Sequence, residues 1–159
     1  MTQQAELARQ SDEQRATAWQ AYEAGHFEQA LAKVKLAAQL AQQLDPESEQ
    51  VVEAYDDAAL YYYMLHDYAN ATRHQAIAVL LASHNPGLQQ MLPVYKERLG
   101  WAFAKYRPDS DFAPIAANPL VLLDDAQLHL VSDARVREFF YRPAPGPWKT
   151  PPTTWVRRR

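Results

Sequence analysis

Histidines and carboxylates are the side chains of this sequence that could hold a metal ion. Glu53 and Asp57 lie four residues apart, but no histidine follows either one at the spacing of a carboxylate-bridged site. His66 and His74 are separated by eight residues and a predicted turn, unlike the i, i+4 pair of a helical metal site. The spacing therefore predicts no metal site. The five histidines are His26, His66, His74, His84 and His129.

Nucleophiles and phosphate-binding loops would be the other signs of an enzyme. The chain has no cysteine, which excludes disulfides, thiolate metal ligands and cysteine nucleophiles. It also lacks a Gly-x-Ser-x-Gly elbow, and its four glycines are not clustered as a phosphate loop requires. The residues 61–63, all tyrosine, cover most of a helix circumference and are interpreted as packing rather than as phenolic catalysts. We expect no catalysis and no cofactor.

The elements that would position these side chains are helices in the first two thirds of the chain. Only three of the eleven prolines precede residue 107, and proline blocks helix interiors. The run from Ser11 to Gln14 is interpreted as a capping box that begins the first helix. Apolar side chains then recur at spacings of three and four. The predicted helices span residues 12–24, 27–44, 49–65, 68–82 and 88–106.

Length and charge limit the classes of function. The 159 residues suffice for one domain with its own core. Residues 1–106 carry 13 acids against 8 bases, which argues against a nucleic-acid surface there. The N-terminus lacks the apolar region of a signal peptide, and no uncharged apolar run approaches the roughly 18 residues of a membrane span. A cytoplasmic protein is the expectation.

A repeat of 41 residues relates the predicted turns. Residues 22–30 align with residues 63–71 when the chain is shifted by this distance. A further shift takes Ala59 to Gly100 and Tyr62 to Phe103. The register therefore holds three times for the first helix of each unit and twice for the second.

In this register, residues 11–106 resemble the tetratricopeptide repeat family. That family places a small residue and an aromatic on the first helix, a Gly-Asp-Tyr turn, and alanines on the second helix. The chain departs from it in its longer period, since about 34 residues is usual, and in His66 at a glycine position. The resemblance implies an all-α fold of antiparallel helix pairs in a right-handed superhelix. The eight prolines after residue 107 predict an irregular proline-rich C-terminal segment beyond it. The matching residues are Ala18, Gly25, Phe27, Ala30, Ala37, Ala59, Tyr62, Asp67, Tyr68, Ala71, Ala78, Leu99, Gly100 and Phe103.

The resemblance also implies a concave groove, lined by the first helices, that binds a protein or peptide partner. Trp19, Leu60 and Trp101 share one repeat position, and large apolar side chains rimmed by charges suit peptide binding. The sequence leaves open the alternative that the two tryptophans pack in the core or under the C-terminal segment. The implied groove residues are Arg15, Trp19, Tyr22, Glu53, Asp56, Leu60, Tyr63, Met64, Glu97, Trp101 and Lys105.

The last third of the chain is predicted to differ from the repeats. We divide the chain into a repeat domain at 11–106, an irregular capping segment at 107–142 and a proline-rich basic tail at 143–159. Residues 120–131 fit either a hairpin or two short helical pieces, and a short helix is expected to begin near residue 132. From Arg142 onward there are five bases and no acid.

These features favour a non-catalytic protein–protein interaction module and leave two alternatives. A short solenoid exposes apolar surface at its open end, so either the C-terminal segment covers that end or the protein forms a homodimer through it. The tail would then dock on its own or a neighbouring subunit. Weak nucleic-acid binding by the basic tail, through its arginines, Trp148 and Trp155, is the other alternative.

Overall fold

The structure, a computed structural model, describes residues 2–131, and within that range the chain forms helices joined by turns. Each of the first four long helices packs against the next one along the chain. The predicted all-α class and helical-repeat character are thereby confirmed. The short helix predicted near residue 132 and the tail at 143–159 lie outside the described residues. The long helices are α1 Gln3–Glu23, α2 Phe27–Leu44, α3 Glu49–Met64, α4 Tyr68–Ala82 and α5 Leu92–Tyr106.

The turns after α1 and α3 have the same backbone conformation, 41 residues apart. Gly25 and His66 both adopt a positive φ, +81° and +62° respectively. The next residue in each turn donates its N–H to the carbonyl five residues earlier, which closes the helix as a Schellman motif. These bonds join His26 to Ala21 at 2.8 Å and Asp67 to Tyr62 at 3.0 Å.

Small residues at equivalent positions hold the helices close together. In both units they are fully buried, with 0% of their surface exposed. An alanine at a helix crossing lets two backbones approach, because it adds little volume between them. The repeat is therefore present in the core as well as in the turns. The equivalent pairs are Ala18 with Ala59, Ala30 with Ala71, and Ala37 with Ala78.

The first helix begins earlier than predicted. It starts at Gln3, where the Thr2 hydroxyl accepts a hydrogen bond from the Ala5 N–H at 3.1 Å. The interpretation of Ser11 as the N-cap is therefore wrong. Ser11 is buried inside α1, and its hydroxyl donates to the Ala37 carbonyl of α2 at 2.9 Å. The serine contributes a contact between helices in place of a local cap.

The fifth helix begins later than predicted. Residues Pro86–Leu88 form a separate 3₁₀ turn, and α5 starts at Leu92 with Pro93 in its first turn, where proline is tolerated. The Asn85 side chain accepts from the Gly87 N–H at 2.9 Å and so stabilises the separate turn. The bounds predicted for α2 and α4 are confirmed, and α3 ends one residue before its predicted end.

Residues 112–131 form short helical pieces, parts of which pack against α4 and α5. Of the two predicted forms of residues 120–131, the structure has the helical one. Leu120 and Val131 are buried in the same apolar cluster as α4 and α5, and the Phe112 ring lies 5.4 Å from that of Phe103. The pieces are α6 Ala113–Ala117, a 3₁₀ turn Pro119–Leu122 and α7 Asp125–Leu128.

Candidate functional site

Helices α1, α3 and α5 carry partly exposed aromatic side chains, which we call the aromatic face: Trp19, Tyr22, Tyr63 and Trp101. The rings of Trp19 and Tyr22 lie 4.8 Å apart on α1. Those of Tyr63 on α3 and Trp101 on α5 lie 4.9 Å apart. All four side chains are half-buried and pack against one apolar cluster. They therefore belong partly to the core and partly to the surface.

The two halves of the aromatic face are joined through α3. The fully buried Tyr61 ring lies 5.5 Å from that of Tyr22 and so connects α1 with α3. Tyr63, on the same helix, makes the contact with α5. Because residues two positions apart on a helix point in different directions, Tyr61 and Tyr63 can serve these separate roles. Burial raises the pKa of the Tyr22 and Tyr63 hydroxyls.

The predicted groove residues divide into three groups by exposure. Arg15, Asp56 and Leu60 are buried, with 6%, 3% and 4% of their surface exposed. The expectation that they line an accessible surface does not hold in the structure, because these side chains lie between the packed helices. Glu97 and Lys105 are exposed on α5. The half-buried ones are Trp19, Tyr22, Glu53, Tyr63, Met64 and Trp101.

Arg15 is buried because α3 supplies carboxylates for its guanidinium. Its Nη2 lies 3.0 Å and its Nε 3.2 Å from Asp57 Oδ2, while its Nη1 lies 2.6 Å from Glu53 Oε2. A planar guanidinium with several donors suits such a shared, partly buried arrangement. Arg15 therefore links α1 to α3.

A second buried ion pair links α3 to α5. Arg98 Nη1 lies 2.5 Å from Asp56 Oδ2, and both side chains are almost fully buried. The two ion pairs join residues with the same separation of 42 positions, Arg15 with Asp57 and Asp56 with Arg98. The same kind of contact thus joins both pairs of neighbouring units. The arginine is on the first helix of the pair in one case and on the second in the other. Adjacent aspartates on α3 bind the helices on either side.

The pKa of Asp57 is raised to about 6, because burial of its carboxylate outweighs the opposing attraction of Arg15. The neighbouring Asp56 and Glu53 carboxylates raise it further. A perturbed carboxyl group of this kind also occurs in active sites. In this chain, however, its Oδ2 is bound by Arg15 within a packed helix interface, so the arrangement supports a structural role.

The predicted groove does not include Asp57 and Arg98, which complete this arrangement. The 41-residue register selected Arg15, Asp56 and Glu97, whereas each pair is completed by the residue one position further along α3 or α5. Opposite charges 42 residues apart in both interfaces were the available signal. In the described part of the chain, no group of three or more acidic or histidine side chains could hold a metal ion. None of the helices within residues 2–131 has both the length and the apolar character needed to cross a membrane.

Comparison of the chain with protein-family models, with curated proteins and with solved structures finds no match.

Proposed function

We propose that this chain is a non-catalytic, tetratricopeptide-like helical repeat that binds a partner polypeptide at its aromatic face. The observation that carries the proposal is the partial exposure of four large aromatic rings on the three first helices of the units. Tryptophan and tyrosine are the residues most often found at the energetic centre of protein interfaces, because they bury much area at little entropic cost.

The charges beside the aromatic face support the same proposal. Glu97 and Lys105 are exposed along α5, and Glu53 is half-buried on α3. Such a rim orients a partner and discriminates against the wrong charge more than it adds affinity. The buried ion pairs beneath hold α1, α3 and α5 in fixed positions, so that the face is formed before a partner arrives.

The test is affinity capture with the full-length chain, followed by mass spectrometry and by affinity measurement with the captured polypeptide. Trp19→Ala and Trp101→Ala are each expected to weaken binding by about 2 kcal/mol, the value typical of an interface anchor. Helicity at 222 nm is expected to stay close to that of the unsubstituted chain, because both side chains are only half-buried.

A matched control is Leu36→Ala. Leu36 is a large apolar residue of α2 with 41% of its surface exposed, and it lies outside the aromatic face. We expect it to leave binding unchanged. Equal loss of binding in all three variants, or a loss of helicity with either tryptophan, would count against the proposal. Capture of a second copy of the chain and nothing else would support self-association instead.

A further inference from the structure

A cleft lined by residues of α2 and α3, and by His74 of α4, lies away from the aromatic face. Its volume is about 210 Å³. It exists because the side chains facing the gap are small, with Val34 and Ala38 on α2 and Ala54 and Ala58 on α3. We call it the α2–α4 cleft. The lining residues are Val34, Lys35, Ala38, Gln39, Gln42, Ala54, Tyr55, Ala58 and His74.

Tyr55, His74 and Lys35 line this cleft, and Tyr62 contacts two of them without lining it. The His74 ring packs 4.7 Å from the Tyr62 ring and 5.8 Å from that of Tyr55. Lys35 Nζ lies 5.2 Å from the centre of the Tyr62 ring, in cation–π range. The cleft thus offers flat apolar surfaces beside a positive charge.

The hydrogen bonds of the cleft determine what a ligand would meet. His74 Nδ1 lies 2.8 Å from the Asn70 carbonyl oxygen. A carbonyl only accepts, so Nδ1 carries the proton, and Nε2 of the same ring is the atom that gains a second proton when the imidazole becomes charged. The Tyr55 hydroxyl accepts from Gln42 Nε2 at 2.8 Å, which fixes the side chain of that glutamine.

Lys35 brings a positive charge to the lining of the cleft, although the whole chain has a net charge of −3. Burial lowers the pKa of His74, and the cations Lys35 and Arg73 lower it further. Asp67 opposes them. Its carboxylate, however, is held at the start of α4, where it accepts from the Asn70 N–H at 3.2 Å and from the Asn70 side-chain amide at 2.8 Å. Asp67 does not line the cleft; among the lining residues Lys35 is the cation, and none is a carboxylate.

We propose that the α2–α4 cleft binds a small aromatic carboxylate, with its ring against the alanines and Tyr55 and its carboxylate beside Lys35. The volume of about 210 Å³ is large enough for this class, because an apolar cavity of about 150 Å³ holds benzene. The bound anion stabilises the charged imidazole of His74. This site is separate from the polypeptide site proposed above, and neither depends on the other.

Sodium benzoate is the probe, titrated into the isotope-labelled full-length chain and followed by NMR. We expect saturable shifts of amides in α2 and α4, with a dissociation constant on the order of 1 mM for a ligand of this size. The pKa of His74 is expected to rise when benzoate is bound. Benzamide has the same shape without the charge, and we expect it to bind about fivefold more weakly.

Lys35→Gln and Lys33→Gln make a matched pair of variants. Both remove one exposed lysine from α2, but only Lys35 lines the cleft. Lys35→Gln should weaken benzoate binding about fivefold and leave benzamide unaffected, whereas Lys33→Gln should change neither. Ala38→Leu should abolish binding by filling the cleft, and its circular dichroism reports whether it still folds.

Four results would overturn the proposal. These are the absence of saturable shifts, shifts that map to the aromatic face, equal affinity for benzoate and benzamide, and equal effects of Lys35→Gln and Lys33→Gln. The comparison of the two lysines does not require Ala38→Leu to fold. Failure of this site would leave the polypeptide proposal untouched, since Trp19 and Trp101 do not line the cleft.

Discussion

At the scale of single residues, the two helix ends that share a Schellman turn differ in one consequential way. Gly25 adopts its positive φ without cost, and a Cβ placed there would meet no atom within 4 Å. His66 adopts the same conformation with a side chain, which is strained for any residue other than glycine. Its ring partly offsets the strain, because its Nδ1 lies 2.8 Å from the Tyr68 hydroxyl oxygen. That contact is exposed and therefore weak.

Substitutions at these two positions should change the free energy of unfolding in opposite directions. Gly25→Ala is expected to lower the free energy of unfolding by about 1 kcal/mol, purely through backbone strain. His66→Gly is expected to raise it by about 0.5 kcal/mol, after loss of the tyrosine contact is subtracted. Urea denaturation followed by circular dichroism measures both.

His66→Ala is the control for this pair, because it keeps the strained backbone and removes the ring. It should be the least stable of the three variants at residue 66, which are histidine, glycine and alanine. If His66→Gly proves less stable than the unsubstituted chain, the contact with Tyr68 outweighs the backbone strain, and histidine is the better residue for this turn.

At the scale of elements, the sequence predicts a helix end wherever that end is determined by residues close to it in the chain. Gly25 and Pro46 mark the ends of α1 and α2, and Asp67 caps α4 by accepting from the Asn70 N–H. The start of α1 could not be predicted in this way. Ser11 has the local pattern of an N-cap. Its hydroxyl donates instead to a carbonyl of another helix, 26 residues further along the chain. Tertiary contacts of this kind leave no trace in local periodicity.

The short C-terminal pieces could be predicted only as alternatives, because runs such as residues 120–123 fit strand and helix equally well. The contact of Leu120 with the core fixes the orientation of this segment. Its neighbour Val121 points away, with 62% of its surface exposed. The segment is therefore a packed part of the fold on one side and open on the other.

Substitutions of the adjacent residues Leu120 and Val121 test whether this segment packs with only one side against the core. Leu120→Ala should lower the free energy of unfolding by about 2–3 kcal/mol, since it removes a buried side chain from the cluster shared with α4 and α5. Val121→Ala should change it by no more than about 0.5 kcal/mol, as is usual for an exposed site. Thermal denaturation of both variants gives the comparison. Equal effects would mean that residues 119–122 do not pack against α4 and α5.

At the scale of the whole molecule, α3 holds the three units together through two adjacent aspartates. The repeat period could be read from the sequence, because alanines and turns recur at fixed distance. The ion pairs between units could not, since each joins residues one position out of that register. The same fact explains why Arg15 and Asp56 are buried rather than exposed in a groove. A charged side chain at an inward position is buried when the next helix supplies a side chain of opposite charge.

The buried carboxylate of Asp57 gives this linkage a pH dependence of defined sign. Its pKa is about 6 in the folded chain, above the ordinary value of 3.8, so the folded chain binds the proton more tightly than the unfolded chain does. The destabilisation that Asp57 causes above pH 6 is therefore relieved as the pH falls through 6 toward 3.8.

Asp57→Asn removes this titration and leaves Arg15 paired with Glu53. Between pH 7 and pH 5, the unsubstituted chain should gain about 1 kcal/mol in free energy of unfolding relative to the variant. Urea denaturation of both proteins at the two pH values isolates the effect, because groups common to the two chains cancel in the difference. A change of opposite sign would show that the attraction of Arg15 exceeds the cost of burial. In that case the ion pair between the first two units stabilises the fold at neutral pH, and burial of the Asp57 carboxylate does not destabilise it on balance.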